Sequence, residues 1–268
     1  MSTKLKIAAA VAAAVLLSAC SSPKHEPMPL VKFTPSMEVT EVWSKGLSSA
    51  EGFLVPAVYD DMVFAAGGKT LTRLNARTGE TEWSVSFNSP ITGGVGSDGY
   101  VTAVGLWDGN LEVVDAEGKV SWEKKLTTEL ASPPVVSHGL VIARTMDTRV
   151  SAFEASSGEL QWTYQRSQPA LTVRLPTRIL LVGQPNGHIV ILDIASGKPM
   201  FEFQVAQAKG VTEVERLVDV VGAPAFSDNL VCAAAFQGAV TCVDSTNGQT
   251  RWTQKIDAVA GPAIDEDN

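Results

Sequence analysis

Glu154-Ala155-Ser156-Ser157-Gly158-Glu159-Leu160-Gln161-Trp162 is the stretch whose reading decides the fold, because its ending, Gly-x-x-x-Trp, recurs along the chain. The same ending occurs at Gly79 to Trp83, Gly118 to Trp122 and Gly248 to Trp252, and in degenerate form at Gly197 to Phe201. Trp43 keeps the phase at the N-terminal side. Successive members lie about 40 residues apart, a period at which each repeat is one supersecondary unit that cannot bury its apolar faces alone.

An acidic or amide residue stands four positions before most of these glycines, at Asn75, Glu154, Asp193 and Asp244, and three before at Asp115. Such a residue, followed by a glycine free to adopt positive φ, predicts a tight turn into the strand that carries the tryptophan. Upstream lie turn signals followed by alternating apolar residues: Trp107-Asp108-Gly109, Pro185-Asn186-Gly187 and Phe236-Gln237-Gly238. Asp-Gly and Asn-Gly between apolar runs predict hairpins. Further upstream are apolar runs such as Pro56-Ala57-Val58-Tyr59 and Pro134-Val135-Val136-Ser137, turning at Asp60-Asp61 or His138-Gly139. Four short antiparallel strands per period is the content of one β-propeller blade. The fold class expected is therefore all-β, with each tryptophan filling the space between neighbouring blades; ligand stacking by the tryptophans is the alternative reading.

Residues 1–19 read as a signal peptide: Lys4 and Lys6 precede an apolar stretch from Ile7 to Leu17, and Leu17-Ser18-Ala19 leads into Cys20. A cysteine placed there resembles the bacterial lipobox, which implies cleavage before Cys20 and its lipidation. Several acyl chains on one residue give stable anchoring. Ser21, rather than an aspartate, follows Cys20, which in bacterial lipoproteins resembles the outer-membrane sorting pattern. Residues 20–37, with Pro23, Pro27, Pro29 and Pro35, read as a flexible tether, and 38–268 as the propeller domain.

The 268 residues are 45% hydrophobic with 22 glycines and carry a net charge of −8, so nucleic acid is not an expected partner. Cys232 and Cys242 stand on the two arms of one hairpin. A two-residue turn at Gln237-Gly238 would pair Cys232 with Val243 and send the sulfurs to opposite faces, which favours two buried free thiols; a one-residue change of register would allow a disulfide. No nucleophile elbow, metal-ligand spacing or phosphate-cradling glycine loop is present, and the histidines at 25, 138 and 188 fall in the tether or in turns. The expectation is no catalytic residues, no metal and no cofactor.

Two segments break the repeat, and departures from a structural pattern are where function concentrates. Residues 167–177 replace a short link with Gln168-Pro169-Ala170-Leu171-Thr172-Val173-Arg174-Leu175-Pro176-Thr177, and about 11 extra residues fall around 206–219. The second reads equally as a solvated insertion or a binding loop.

The lipobox, proline-rich tether, Gly-x-x-x-Trp repeats and these two loops together resemble the BamB family of outer-membrane assembly lipoproteins over essentially the whole chain. The resemblance implies a noncatalytic scaffold on the periplasmic face of the outer membrane, held there by lipid on Cys20. Its partners would be the POTRA domains of BamA and the other members of the barrel-assembly (BAM) complex. The implied partner-binding residues are Leu171, Val173 and Arg174 in the first loop and Arg216, Leu217 and Asp219 in the second; Val221 stands where the family often has a further acid. Apolar anchors beside an arginine suit a protein interface, and a mere surface salt bridge is the other reading of Arg174. The resemblance also implies eight blades, against about five units counted here, so the expectation is a truncated chain forming an open arc. The competing reading is an exported quinoprotein oxidoreductase or carbohydrate-binding propeller, although the adjacent cysteines and calcium-binding carboxylates of quinoprotein dehydrogenases are not found.

Overall fold

The computed structural model describes residues 39–48, 54–165, 178–207, 218–227, 229–236 and 238–264. The chain divides into two compact units, Met1–Glu41 and Val42–Asn268, and every element below belongs to the second. All its regular structure among the described residues is β-strand, and no helix there is long and apolar enough to cross a membrane.

Among the described residues nineteen strands form five antiparallel sheets, each built from consecutive strands in simple meander order. The first sheet holds β1 (Ala57–Tyr59), β2 (Met62–Gly67), β3 (Thr70–Asn75) and β4 (Thr81–Ser86). The second holds β5 (Ile91–Ser97), β6 (Thr102–Leu106), β7 (Asn110–Val114) and β8 (Val120–Lys125), and the third β9 (Val135–Ser137), β10 (Leu140–Arg144), β11 (Val150–Glu154) and β12 (Leu160–Tyr164). The fourth shows three described strands, β13 (Ile179–Gln184), β14 (His188–Asp193) and β15 (Pro199–Gln204). The fifth contains β16 (Val220–Ser227), β17 (Leu230–Ala235), β18 (Gly238–Asp244) and β19 (Thr250–Ile256). This is the expected propeller-type blade, once per repeat.

Middle strands are apolar at successive positions, such as Ile189-Val190-Ile191-Leu192, because both faces of the sheet are covered. Outer strands such as β8 expose most positions and keep only their tryptophan side partly covered. Four separate apolar clusters fill the four spaces between consecutive sheets. Between the first two, Phe64 and Leu71 meet Ile91, Val104 and Leu106; between the third and fourth, Ile142 and Ala152 meet Leu180, Val182 and Val190. Each of the Phe, Leu, Ile and Val side chains buried there contributes about 1.5–3 kcal/mol.

The tryptophans join sheet to sheet. Indole Nε1 donates to a carbonyl of the next sheet in four cases: Trp43 to Ala76 at 2.9 Å, Trp83 to Ala116 at 2.9 Å, Trp122 to Ala155 at 2.8 Å and Trp162 to Ile194 at 3.1 Å. Beneath each ring lies the glycine of the next repeat, Gly79, Gly118, Gly158 and Gly197, with Gly248 under Phe201. These glycines have φ between 66° and 80°, and a β-carbon on any of them would strike the ring. The acidic or amide residue before each glycine holds the turn, as Asn75 Oδ1 accepts from the Arg77 and Thr78 N–H groups and Asp193 Oδ1 from the Ser196 N–H. Blade packing, rather than ligand stacking, is thus the role of Trp43, Trp83, Trp122 and Trp162.

The hairpins correct one expectation. Asp-Gly and Asn-Gly sit in three-residue loops here: β13 and β14 pair Gln184 with His188, and β6 and β7 run Leu106 to Asn110 around Trp107-Asp108-Gly109. A type I turn closed by a residue with positive φ, such as Gly109, gives this odd loop length. The same register in the fifth sheet sets Cys232 directly opposite Cys242, with Cα atoms 4.1 Å apart and a disulfide between them. Free thiols, favoured on a two-residue turn, are therefore overturned by a one-residue change in register.

Candidate functional site

Strand direction determines where the irregular links emerge. Val150 opens β11 opposite Tyr164, which closes β12, and His188 opens β14 opposite Gln204, which closes β15. The link from β12 to β13 and the link from β15 to β16 therefore leave at the same end as the hairpin loops 145–149 and 185–187. The first link leaves the third sheet at that end but enters the fourth at Ile179, opposite Asp193 and so away from the 185–187 loop, whereas the second both leaves β15 and enters β16 at the loop end, Val220 lying opposite Ala235.

The second link is rooted on the Asn186-Gly187 turn. Val205 N–H donates to the Gly187 carbonyl at 2.7 Å, and Ala206 and Val218, both buried, arrive from the two sides of the insertion. A β-carbon on Gly187 would stand 2.6 Å from the Ala206 carbonyl oxygen and 2.9 Å from that of Val218. Gly187 also has φ of 70°, so no other residue fits without displacing both ends of the link.

Asp219 follows immediately and is exposed. Its main-chain carbonyl accepts from Phe236 N–H at 2.9 Å, and its Oδ1 accepts from Asn186 N–H at 3.1 Å. The carboxylate is thereby held between the hairpin loops of the fourth and fifth sheets through Oδ1 and its own main chain. Arg144, at the end of β10 in the third sheet, is electrostatically coupled to it: burial pushes the guanidinium below its usual range, and the Asp219 carboxylate opposes that shift.

Of the residues expected to form the site, only Asp219 is among those described; Cys20, Leu171, Val173, Arg174, Arg216 and Leu217 lie outside them. Arg144, Asn186 and Gly187 were not expected. Asn186-Gly187 carried a signal, but only that of a hairpin turn, and nothing in the sequence marks Arg144, which lies 75 residues before Asp219 and meets it only through the stacking of sheets.

Elsewhere among the described residues, the titratable groups His188, Glu202, Asp193 and Asp244 serve strand pairs and turns. His188 Nδ1 lies 2.9 Å from Glu202 Oε1 on neighbouring strands. Asp193 and Asp244 have carboxyl groups held below the usual range, first by the hydroxyls of Ser196 and Thr246 within their own turns. No three His, Cys, Asp or Glu side chains among the described residues are grouped to hold a metal ion.

Comparison with known proteins gives one consistent result. The family model described as outer membrane protein assembly factor BamB matches residues 67–268. A curated protein of that name from Burkholderia pseudomallei is 36% identical over 270 residues, covering 96% of this chain and 71% of its own. The crystal structure of BamB from Moraxella catarrhalis superposes with a TM-score of 0.68 at 27% identity, covering 77% of this chain and 65% of that one. A quinohemoprotein alcohol dehydrogenase from Pseudomonas putida HK5 superposes with a TM-score of 0.59 at 16% identity over 83% of this chain and 45% of its own, a likeness of fold alone.

Proposed function

Because the chain belongs to the outer membrane protein assembly factor BamB family, we propose that it is a noncatalytic scaffold of the machinery that assembles outer-membrane β-barrel proteins. In this reading lipid on Cys20 holds it to the periplasmic face of the outer membrane, and stacked blades present two loops to the POTRA domains of BamA. Leu171, Val173 and Arg174 supply one contact, and Arg216, Leu217 and Asp219 the other.

One observation carries the reading furthest: Asp219 is exposed yet fixed by Asn186 N–H and by its own main-chain bond to Phe236. A carboxylate fixed before binding loses less side-chain entropy when it meets a cationic or amide donor of a partner. It also follows directly on an insertion whose two ends are packed against Gly187, at the hairpin-loop end of the fourth blade.

The quinoprotein reading draws on fold similarity at 16% identity, and fold does not carry function.

The test is capture from detergent-solubilised membranes using the acylated chain. BamA should copurify, and Arg174→Glu and Asp219→Lys should each lower its recovery by tenfold or more while leaving the tryptophan fluorescence of the scaffold unchanged. Undiminished recovery with both variants removes the assignment of these residues. Stoichiometric quinone and calcium in the purified chain, with no BamA, removes the scaffold reading itself.

A further inference from the structure

A cleft of about 250 Å³ opens between the outer strand of the second sheet and the middle strands of the third. Lys124 and Lys125 border it from β8, Arg149 and Ser151 from the loop and strand at β11, and Thr145 and Thr163 complete its polar wall. Every charged residue of the wall is cationic, although acids outnumber bases 29 to 21 in the chain.

A repeat-equivalent cleft shows which part of this is structural. Between residues 45–48 and the first sheet lies a similar space of about 200 Å³, bordered by Lys45, Thr70, Thr72 and Ser84. Its Thr72 and Ser84 hydroxyls bond each other at 3.0 Å, and the matching Ser151 and Thr163 approach at 3.3 Å. The hydroxyl pair therefore belongs to the blade. Two positions before Ser151 stands Arg149, where the first blade has Thr70, and a second lysine has been added beside Lys124. Charge, not shape, distinguishes the second cleft.

That charge is incompletely used within the protein. Arg149 Nε is buried without a hydrogen-bond partner, its approach to Asp147 Oδ2 being a long 3.8 Å, and Asp147 is itself engaged by the Thr145 hydroxyl. Arg149 Nη2 reaches Gln165 Oε1 only at 3.4 Å. Lys125 Nζ donates to the Asp108 carbonyl, whereas Lys124 is exposed and makes no ion pair among the described residues. The Arg149 guanidinium, 38% exposed and held by Asp147 only at 3.8 Å, together with an ammonium and neighbouring hydroxyls, forms the donor set that a tetrahedral oxyanion takes up.

We propose that the cleft between the second and third blades is a binding site for a phosphate group, small enough to admit a phosphate ester headgroup. Arg149 and Lys124 supply the charge, and the Ser151–Thr163 pair, with one proton engaged in its mutual bond, has the other hydroxyl proton to donate to a phosphate oxygen. The phosphate is either that of a soluble ester or that of a phospholipid headgroup.

The experiment follows the thermal unfolding midpoint of the full chain while titrating inorganic phosphate and, separately, dihexanoyl-phosphatidylglycerol below its micelle-forming concentration. Phosphate stabilises folded proteins generally by exclusion from their surface, so the readout is the difference between the parent chain and Lys124→Gln, an exposed substitution that leaves the core untouched. A saturable rise in the parent is expected, with the half-saturating concentration raised about tenfold by Lys124→Gln and similarly by Arg149→Gln. Tighter response to the lipid than to phosphate identifies a membrane headgroup, and the reverse a soluble ester. Equal responses of parent and Lys124→Gln to both probes, or no saturable response to either, overturn the site.

Discussion

The indole of Trp83 rests on the backbone of Gly118, so closely that a β-carbon there would come within 2.7 Å of the ring. The glycine of each repeat is thus demanded by the tryptophan of the repeat before it, and the two conspicuous residues of one motif act across two different interfaces. Gly118 also has φ of 80°. Gly118→Ala combines left-handed backbone strain with overpacking, and should destabilise the chain by about 2–4 kcal/mol. Urea denaturation checks this; a loss below about 0.5 kcal/mol would show that the ring moves aside freely.

Trp122 separates the two contributions of the indole. It packs beside Phe153 with ring centroids 6.0 Å apart and donates to the Ala155 carbonyl at 2.8 Å. Trp122→Phe keeps an aromatic ring but leaves a largely buried carbonyl without its donor, for an expected loss of about 1–3 kcal/mol. Trp122→Ala removes the ring as well and should cost about 3–5 kcal/mol. Equal losses in the two variants would assign the whole effect to the hydrogen bond.

The disulfide is open to direct chemistry. Cys232 and Cys242 are 3% and 0% exposed and bonded across adjacent strands, so alkylation of the denatured, unreduced chain should leave both unmodified, and reduction should make both reactive. Cys232→Ala with Cys242→Ala should lower stability by about 2–3 kcal/mol, the scale for closing a loop of this length. Mass spectrometry showing both thiols alkylated before reduction would contradict the pairing.

Acid should weaken the turn before Gly248. Asp244 is held at about 2, below its ordinary 3.8, chiefly by the Thr246 hydroxyl, then by the Thr246 N–H and by Arg251. A carboxyl whose folded value is depressed stabilises fully above its unfolded value, and that stability fades as pH falls from about 4 through about 2. Asp244→Asn should flatten the pH dependence of stability in that window relative to the parent. Carboxyl NMR placing the Asp244 midpoint near 4 would refute the arrangement.

Local signals and global parity differ in how legible they are. The period, the turn acids, the glycines and the tryptophans could all be read, because each acts within one repeat or at a fixed offset between neighbours. The Asn186-Gly187 and Asp108-Gly109 pairs announced hairpins correctly but not their loop length, since a three-residue loop uses the same glycine as a two-residue one. That single residue reverses which face every side chain of a strand takes, and it is why Cys232 was expected to face away from Cys242. Arg144 beside Asp219 lay beyond any local pattern, because their proximity depends on how three successive sheets stack.

Gly187 offers a way to test the root of the second loop without touching a residue proposed to bind a partner. Gly187→Ala places a methyl 2.6 Å from the Ala206 carbonyl oxygen, in a turn whose φ of 70° already disfavours alanine. The two ends of the insertion must then separate, and Asn186 N–H, one residue away, loses its alignment on Asp219 Oδ1. Global stability should fall by about 2–3 kcal/mol, through the strain and the disturbed packing of Ala206 and Val218. If the position of Asp219 serves partner binding, BamA capture should fall by tenfold or more at a temperature where circular dichroism shows the variant still folded. Amide hydrogen exchange should show faster exchange at Asn186 and Phe236 than in the parent, while the Trp83 and Trp122 contacts of the earlier blades stay protected. Unchanged exchange at those two amides would mean that Asp219 is positioned by something other than the turn beneath it.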